Sequence, residues 1–168
     1  MARIEEFLPI LLKIEGGYVD DPIDRGGATN KGITLNTYRC YYGSNKTKEQ
    51  LQRISDNEVR SIYKVGYWDK CGGDKIVNQS VANLFVDYAV NSGVYRAVRE
   101  IQRLVGVTDD GVVGSKTISA INSKNPKELF RSLYDRRLAY YEEICKKNPS
   151  QKKFLNGWKN RLKFYKFA

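Results

Sequence analysis

The sequence predicts a mainly α-helical globule with a small irregular loop or hairpin after the first helix. Two patterns carry that expectation. Apolar residues recur at three- and four-residue intervals along most of the 168 residues, the spacing of one helix face. Glycines, prolines and capping residues interrupt those runs at short intervals, as helix ends require. With 41% hydrophobic and 12% aromatic residues, the chain has enough apolar material for one real core and is not disordered.

The elements follow in order. Ile4, Phe7, Leu8, Leu11 and Leu12 outline a first helix over about residues 4–15. Pro9 opposes it, since an interior proline costs about 3 kcal/mol; a start near residue 6 would bring Pro9 close to the first turn. Residues 16–33 hold Gly16, Gly17, Pro22, Gly26, Gly27 and Gly32, which excludes a helix and suggests a loop or hairpin. A short helix at about 35–42 ends before Gly43. Thr47 with Gln50, and Ser55 with Glu58, are capping boxes that each open a helix. After Trp68, the Cys71-Gly72-Gly73-Asp74 run breaks the chain.

A helix at about 79–91 carries Val81, Leu84, Phe85 and Tyr88 on one face and Asn83, Asp87 and Asn91 on another. Past Gly93, Val94, Val98, Ile101 and Val105 outline the next helix, and the turn Thr108-Asp109-Asp110-Gly111 leads to a short one at about 115–123. Asn125-Pro126 is an N-cap followed by an N1 proline, opening a long helix to about 147. Phe154, Trp158, Leu162 and Tyr165 give a final amphipathic helix. Neither linker nor repeat interrupts the chain; residues 1–95 and 96–168 read as two regions packed as one globule.

Composition narrows the chemistry. Histidine is absent, so acid–base work falls to Asp, Glu, Lys, Tyr or Cys. Cys40, Cys71 and Cys145 are far apart and form no C-x-x-C, so neither zinc nor a disulfide framework is expected. No metal site and no cofactor is implied. The first six residues do not resemble a signal peptide, and no apolar run approaches the roughly 20 residues that span a bilayer. Synthesis in the cytoplasm is therefore expected.

The net charge of +10 is uneven. Residues 1–95 hold 12 basic and 12 acidic side chains, whereas residues 96–168 hold 17 and 7. From Lys146 onward there are eight basic residues and no acidic one. Such a surface suits an anionic polymer. No nucleic-acid motif accompanies it, so nucleic acid is not the expected partner.

The chemistry centres on Glu15. It continues the series 4, 8, 11, so a carboxylate stands where the stripe calls for an apolar residue. Burial would favour its protonated form, which a general acid needs. Asp20, Asp21 and Asp24 follow within ten residues, and Thr29 lies close by. Glycosidic cleavage commonly uses two carboxyl groups, one protonating the leaving oxygen and one on the opposite face of the sugar. Plainer readings stand beside this one. An acidic glycine-rich loop is also a solvated turn or a weak calcium site, and Glu15 is also an exposed residue at a fraying helix end.

The run Glu15-Gly16-Gly17-Tyr18, then Asp24-x-Gly26-Gly27-x-Thr29-x-x-Gly32-Ile33-Thr34, resembles the N-terminal signature of glycoside hydrolase family 108. Phe85-x-Asp87-x-Ala89-Val90-Asn91-Ser92-Gly93 is similar to a second family block. Ile101-Gln102-x-Leu104-x-Gly106-Val107, with Asp110-Gly111-x-x-Gly114-x-x-Thr117, is similar to the family's predicted peptidoglycan-binding region. The resemblance implies a lysozyme-like fold and an N-acetylmuramidase activity. Glu15 matches the catalytic acid. Asp24 and Thr29 resemble the Asp and Thr of phage lysozymes, at an interval one residue shorter. Asn91 matches an asparagine that contacts the sugar N-acetyl group, and Asp87 is expected to line the same cleft or to cap and bind the loop. Tyr18 and Tyr88 are candidates for stacking on sugar rings or for the core.

The resemblance also implies peptidoglycan as the partner, with anionic wall polymers or lipid head groups as further partners of the basic C-terminal region. A monomer is expected, acting on the cell wall after export or holin-type release. Members of the family have also carried the label secretion activator. A non-catalytic peptidoglycan-binding or secretion-accessory protein is therefore the rival reading.

Overall fold

A computed structural model of the chain describes residues 1–22 and 27–168. Helix α1 spans Ile4–Glu15. Phe7 and Leu11 are fully buried, and Pro9 sits inside the helix on its exposed side. The helix therefore starts before residue 6: burial of Ile4, Phe7 and Leu11 offsets the hydrogen bond that proline forfeits. Glu5 of its first turn pairs with Arg60 at 2.6 Å, an exposed contact worth little by itself.

The glycine-rich segment contributes a three-stranded antiparallel sheet in the order β1 (Val19–Asp20), β2 (Ala28–Asn30), β3 (Ile33–Thr34). Val19 pairs with Thr29, and Asn30 with Ile33. The β2–β3 link is the two residues Lys31 and Gly32, both at positive φ (53° and 77°), a tight turn matched to strand twist. Asn30 is buried and donates through Nδ2 to the Leu51 carbonyl at 2.9 Å, which pins the hairpin to the next helices.

Helices α2 (Leu35–Tyr42), α3 (Lys48–Gln52) and α4 (Asp56–Tyr63) follow, and both expected capping boxes form. A π-helical turn, Lys64–Trp68, extends α4 and drives Trp68 into the core against Phe7. Its ring N–H donates to Asp74 at 2.7 Å. The π turn was not foreseen, because its i→i+5 bonding has no apolar period of its own.

Helix α5 (Gln79–Ser92) is the axis of the fold, buried on every side from Ser80 to Ala89, as a helix at the centre of a bundle must be. Around it pack α6 (Val94–Val105), α7 (Ser115–Ser123), α8 (Pro126–Lys147) and α9 (Lys152–Leu162). One apolar cluster runs from Phe7 through Phe85 and Ile101 to Leu133 and Leu162. The architecture is the mainly α, lysozyme-like one that the sequence predicts, with α9 ending three residues before Tyr165.

The 101–117 motif serves the fold. Gln102 is buried; its amide donates to Asp110, the Val112 carbonyl and Thr117, and its carbonyl accepts from the Gly111 N–H at 3.0 Å. Asp110 is held below the ordinary carboxylate range, chiefly by the Val112 backbone N–H and then by Gln102. One glutamine thus clamps the whole turn.

Candidate active site

Glu15 is the last residue of α1, and Gly16 stops the helix at positive φ with its N–H on the Leu12 carbonyl. The Glu15 side chain is 21% exposed. Gly32 covers it from the β2–β3 turn: a Cβ there would lie 2.9 Å from Glu15 Cγ and Cδ, and 2.6 Å from the Tyr63 hydroxyl. That hydroxyl donates to the Lys31 carbonyl at 2.6 Å, fastening the turn to α4. The glycine is required twice, for its φ and for the space it leaves.

The apolar surroundings expected of Glu15 are replaced by a cation. Arg161 of α9 places Nη2 2.9 Å from Glu15 Oε1 and 2.8 Å from Asp87 Oδ1. Burial works against the Arg161 charge, but Asp87 and then Glu15 outweigh it, so the guanidinium is held more firmly charged than usual. The Tyr63 and Tyr67 phenols are raised, first by burial; Glu15 adds to both, as Tyr41 does to Tyr67.

Asp87 is the anchor of this arrangement. It has no solvent exposure. It accepts from Arg137 Nη2 at 3.0 Å, from Arg161 Nε and Nη2, and from the Tyr165 hydroxyl at 2.8 Å. Arg137 is itself fully buried; it also donates to the Leu84 carbonyl and the Tyr141 hydroxyl, and lies over the Tyr88 ring at 4.9 Å. Burying such charges is tolerable only when each is paired and hydrogen-bonded. Tyr141 in turn donates a short bond to Asn91 Oδ1. A continuous polar path therefore joins Asn91, Tyr141, Arg137, Asp87, Arg161 and Glu15.

The structure distributes the expected site residues unevenly. Glu15 and Asn91 are both half-buried and stand at the two ends of this path. Thr29 is half-buried on β2, opposite Val19 and Thr34, and Tyr18 is half-buried just before β1. Asp24 lies outside the described residues. Asp20 is ion-paired with Lys48 at 3.1 Å.

Asp87 lies off the expected cleft wall, and Tyr88 takes a place in the core, one of its two expected roles. Asp87 is enclosed by two arginines and a tyrosine, and Tyr88 is wholly buried against Tyr140 and Arg137. Neither has surface to offer a sugar. Asn83, on the same α5 face, accepts from Gln79, which also bonds the Arg3 backbone. Asn83 thus holds Gln79, and Gln79 fastens α5 to the residue that precedes α1.

Arg137, Arg161 and Tyr165 were missed as members of the site. One signal was present: Arg137 interrupts the apolar stripe Leu133, Tyr141, Cys145 on α8, and Arg161 sits beside Leu162 on the buried side of α9. A cation on an inward stripe calls for a buried anion.

A concavity of about 530 Å³ lies between the 69–75 turns and α7 and is lined by Asp69, Asp74, Lys75, Val113 and Ile118 among others; Glu15 is not part of it. Among the described residues no group of three metal-ligating side chains occurs, and no helix is long and apolar enough to cross a membrane.

Residues 8–93 match the family described as Glycosyl hydrolase 108, and residues 96–163 match the one described as Predicted Peptidoglycan domain. No curated protein matches the chain. The structure of Brucella abortus SagA is similar over 98% of this chain and 96% of its own, at 32% identity and a TM-score of 0.72. Glu15, Gly32 and Asp87 fall in the first match and Arg137 and Arg161 in the second, so both matched regions build this site. With half of its length matched by that first model, the chain belongs to the glycosyl hydrolase 108 family.

Proposed function

We propose that this protein is an N-acetylmuramidase that hydrolyses the β-1,4 bond between N-acetylmuramic acid and N-acetylglucosamine in peptidoglycan. The placement of Glu15 carries the reading. Its carboxyl group reaches solvent at the end of α1, beside the 16–34 segment, and is held in one direction by Arg161 and by the Gly32 turn. Fixed orientation with partial access is what a group delivering a proton to a leaving oxygen requires.

In this mechanism Glu15 gives its proton to the glycosidic oxygen as the C–O bond breaks. Asp24 stabilises the oxocarbenium-like sugar or, with Thr29, holds the water that attacks it. Addition of that water and loss of its proton complete hydrolysis. A carboxyl separation of about 6.5–9.5 Å would give inversion, and about 5–5.5 Å retention. Asn91 binds the substrate from the far end of the polar path, and Tyr18 contributes an apolar face beside the hairpin.

The basic C-terminal region adds attraction to anionic wall polymers or lipid head groups, an effect that salt would weaken. The site of action in this reading is the cell wall, reached by export or holin-type release, and the acting species is a monomer.

The test is release of reducing ends from purified peptidoglycan by wild type and Glu15→Gln. Loss of about three orders of magnitude or more in rate is expected for removal of an essential acid; a fully active variant sinks the assignment. One observation favours the rival, non-catalytic reading: the Glu15 carboxylate is engaged by Arg161, as in a structural ion pair. That reading predicts no reducing ends from wild type under any condition.

A further inference from the structure

We infer that Arg161 is a positioning residue for the reaction, through which the last helix of the peptidoglycan-binding region sets the direction of the Glu15 carboxyl group. The inference rests on the reading of Glu15 as the acid. Residues 15 and 161 come from the first and last helices, and they meet across a single Nη2 that also touches Asp87.

The arrangement differs from an ordinary ion pair in how it is shared. Arg161 keeps Asp87 through Nε, at 3.1 and 3.2 Å to its two oxygens, independently of the Nη2 bond to Glu15. Asp87 and Arg137 already form a paired, fully buried couple. Protonation of Glu15 therefore leaves Arg161 hydrogen-bonded to Asp87, with Arg137 and Arg161 then sharing that one negative charge. Glu15 can exchange a proton in each turnover while Arg161 stays in place. A bridge that ended on Glu15 alone would not allow this, because losing one partner of an enclosed pair is costly.

Among the described residues, the charged and titratable groups around Glu15 are few. Arg161 faces it from α9, with Asp87 of α5 immediately behind. Tyr63 of α4 and Tyr67 of the π turn face it with phenols that burial keeps protonated. The Lys31–Gly32 turn covers another side with backbone, and the Lys31 ammonium is turned to Asp56 at 3.5 Å. Arg161 is the cation in contact with the carboxylate among the described residues.

The test uses the full chain with soluble peptidoglycan fragments, measuring kcat and KM for wild type, Arg161→Gln, Arg161→Lys and Glu15→Gln, with a thermal melt for each. Arg161→Gln should lose about a hundredfold in kcat with little change in KM, since the carboxyl group is no longer held in one direction. Arg161→Lys should recover part of that loss and stay about tenfold below wild type in kcat, because a point charge cannot hold both carboxylates as the fork does.

A wild-type kcat in folded Arg161→Gln, or a loss seen in KM alone, overturns the inference. If Arg161→Gln does not fold, Arg161→Lys decides: a wild-type kcat overturns it. An active Glu15→Gln removes the acid assignment and this inference with it, whereas an inactive Glu15→Gln with a wild-type kcat in Arg161→Gln removes this inference alone.

Discussion

Replacing Asp87 by asparagine takes one charge from a carboxylate with no solvent exposure and leaves two guanidinium groups facing an amide. Both carboxylate oxygens accept, from Arg137, from Arg161 and from the Tyr165 hydroxyl. Asparagine keeps one such oxygen and turns an NH2 toward donors. Breaking a buried pair by removing one partner costs about 3–5 kcal/mol, because the other charge remains enclosed. Arg137 has no exposure at all and Arg161 little, so the upper part of that range is expected. For a domain of this size each kcal/mol lowers Tm by about 2–4 °C, so about 4–5 kcal/mol gives a drop of about 8–20 °C. Urea denaturation and calorimetry of wild type and Asp87→Asn measure it. Agreement between the two proteins within about 1 kcal/mol would refute the reasoning, since a loss that small belongs to a solvated surface pair.

Other outcomes follow from the same geometry. Gly32→Ala should destabilise by about 2–4 kcal/mol, from the left-handed backbone at φ 77° and from crowding of Tyr63 and Glu15; activity should fall with stability, and a neutral melt would argue against the close approach. Burial pushes the Cys71 thiol up to about 12 from a usual 9.0. It is neutral in the folded protein while the unfolded chain ionises, so its contribution is complete below 9.0 and is lost as pH rises toward about 12. A thiol reagent at about pH 8 should therefore label exposed Cys40 quickly and Cys71 only at the rate of unfolding. The buried phenols of Tyr63, Tyr88 and Tyr165 have the same sign, so phenolate absorbance for these three should rise together with alkaline unfolding rather than before it.

The sequence by itself determined the helices. Most of their limits agree with the expected ones to within a residue or two, α9 ending three residues early, because caps and apolar periods are local signals: Thr47 with Gln50, Ser55 with Glu58, and Asn125 before Pro126 each act within one turn. It also determined the family, through ordered blocks, and it singled out Glu15 as a carboxylate out of place on an apolar stripe. Tertiary structure decided what that carboxylate touches. The partners of Glu15 and Asp87 lie 146 and 50 to 78 residues away, and no local pattern ranks one distant arginine above the others. Helical spacing put Asn83, Asp87 and Asn91 on one face of α5, but it could not say that this face is covered, since all sides of α5 from Ser80 to Ala89 are enclosed by other helices. Burial is a property of the assembled layers. The same residue type that reads as a cleft carboxylate on an isolated helix becomes, once α8 and α9 close over it, the buried anion that holds Arg161 beside Glu15.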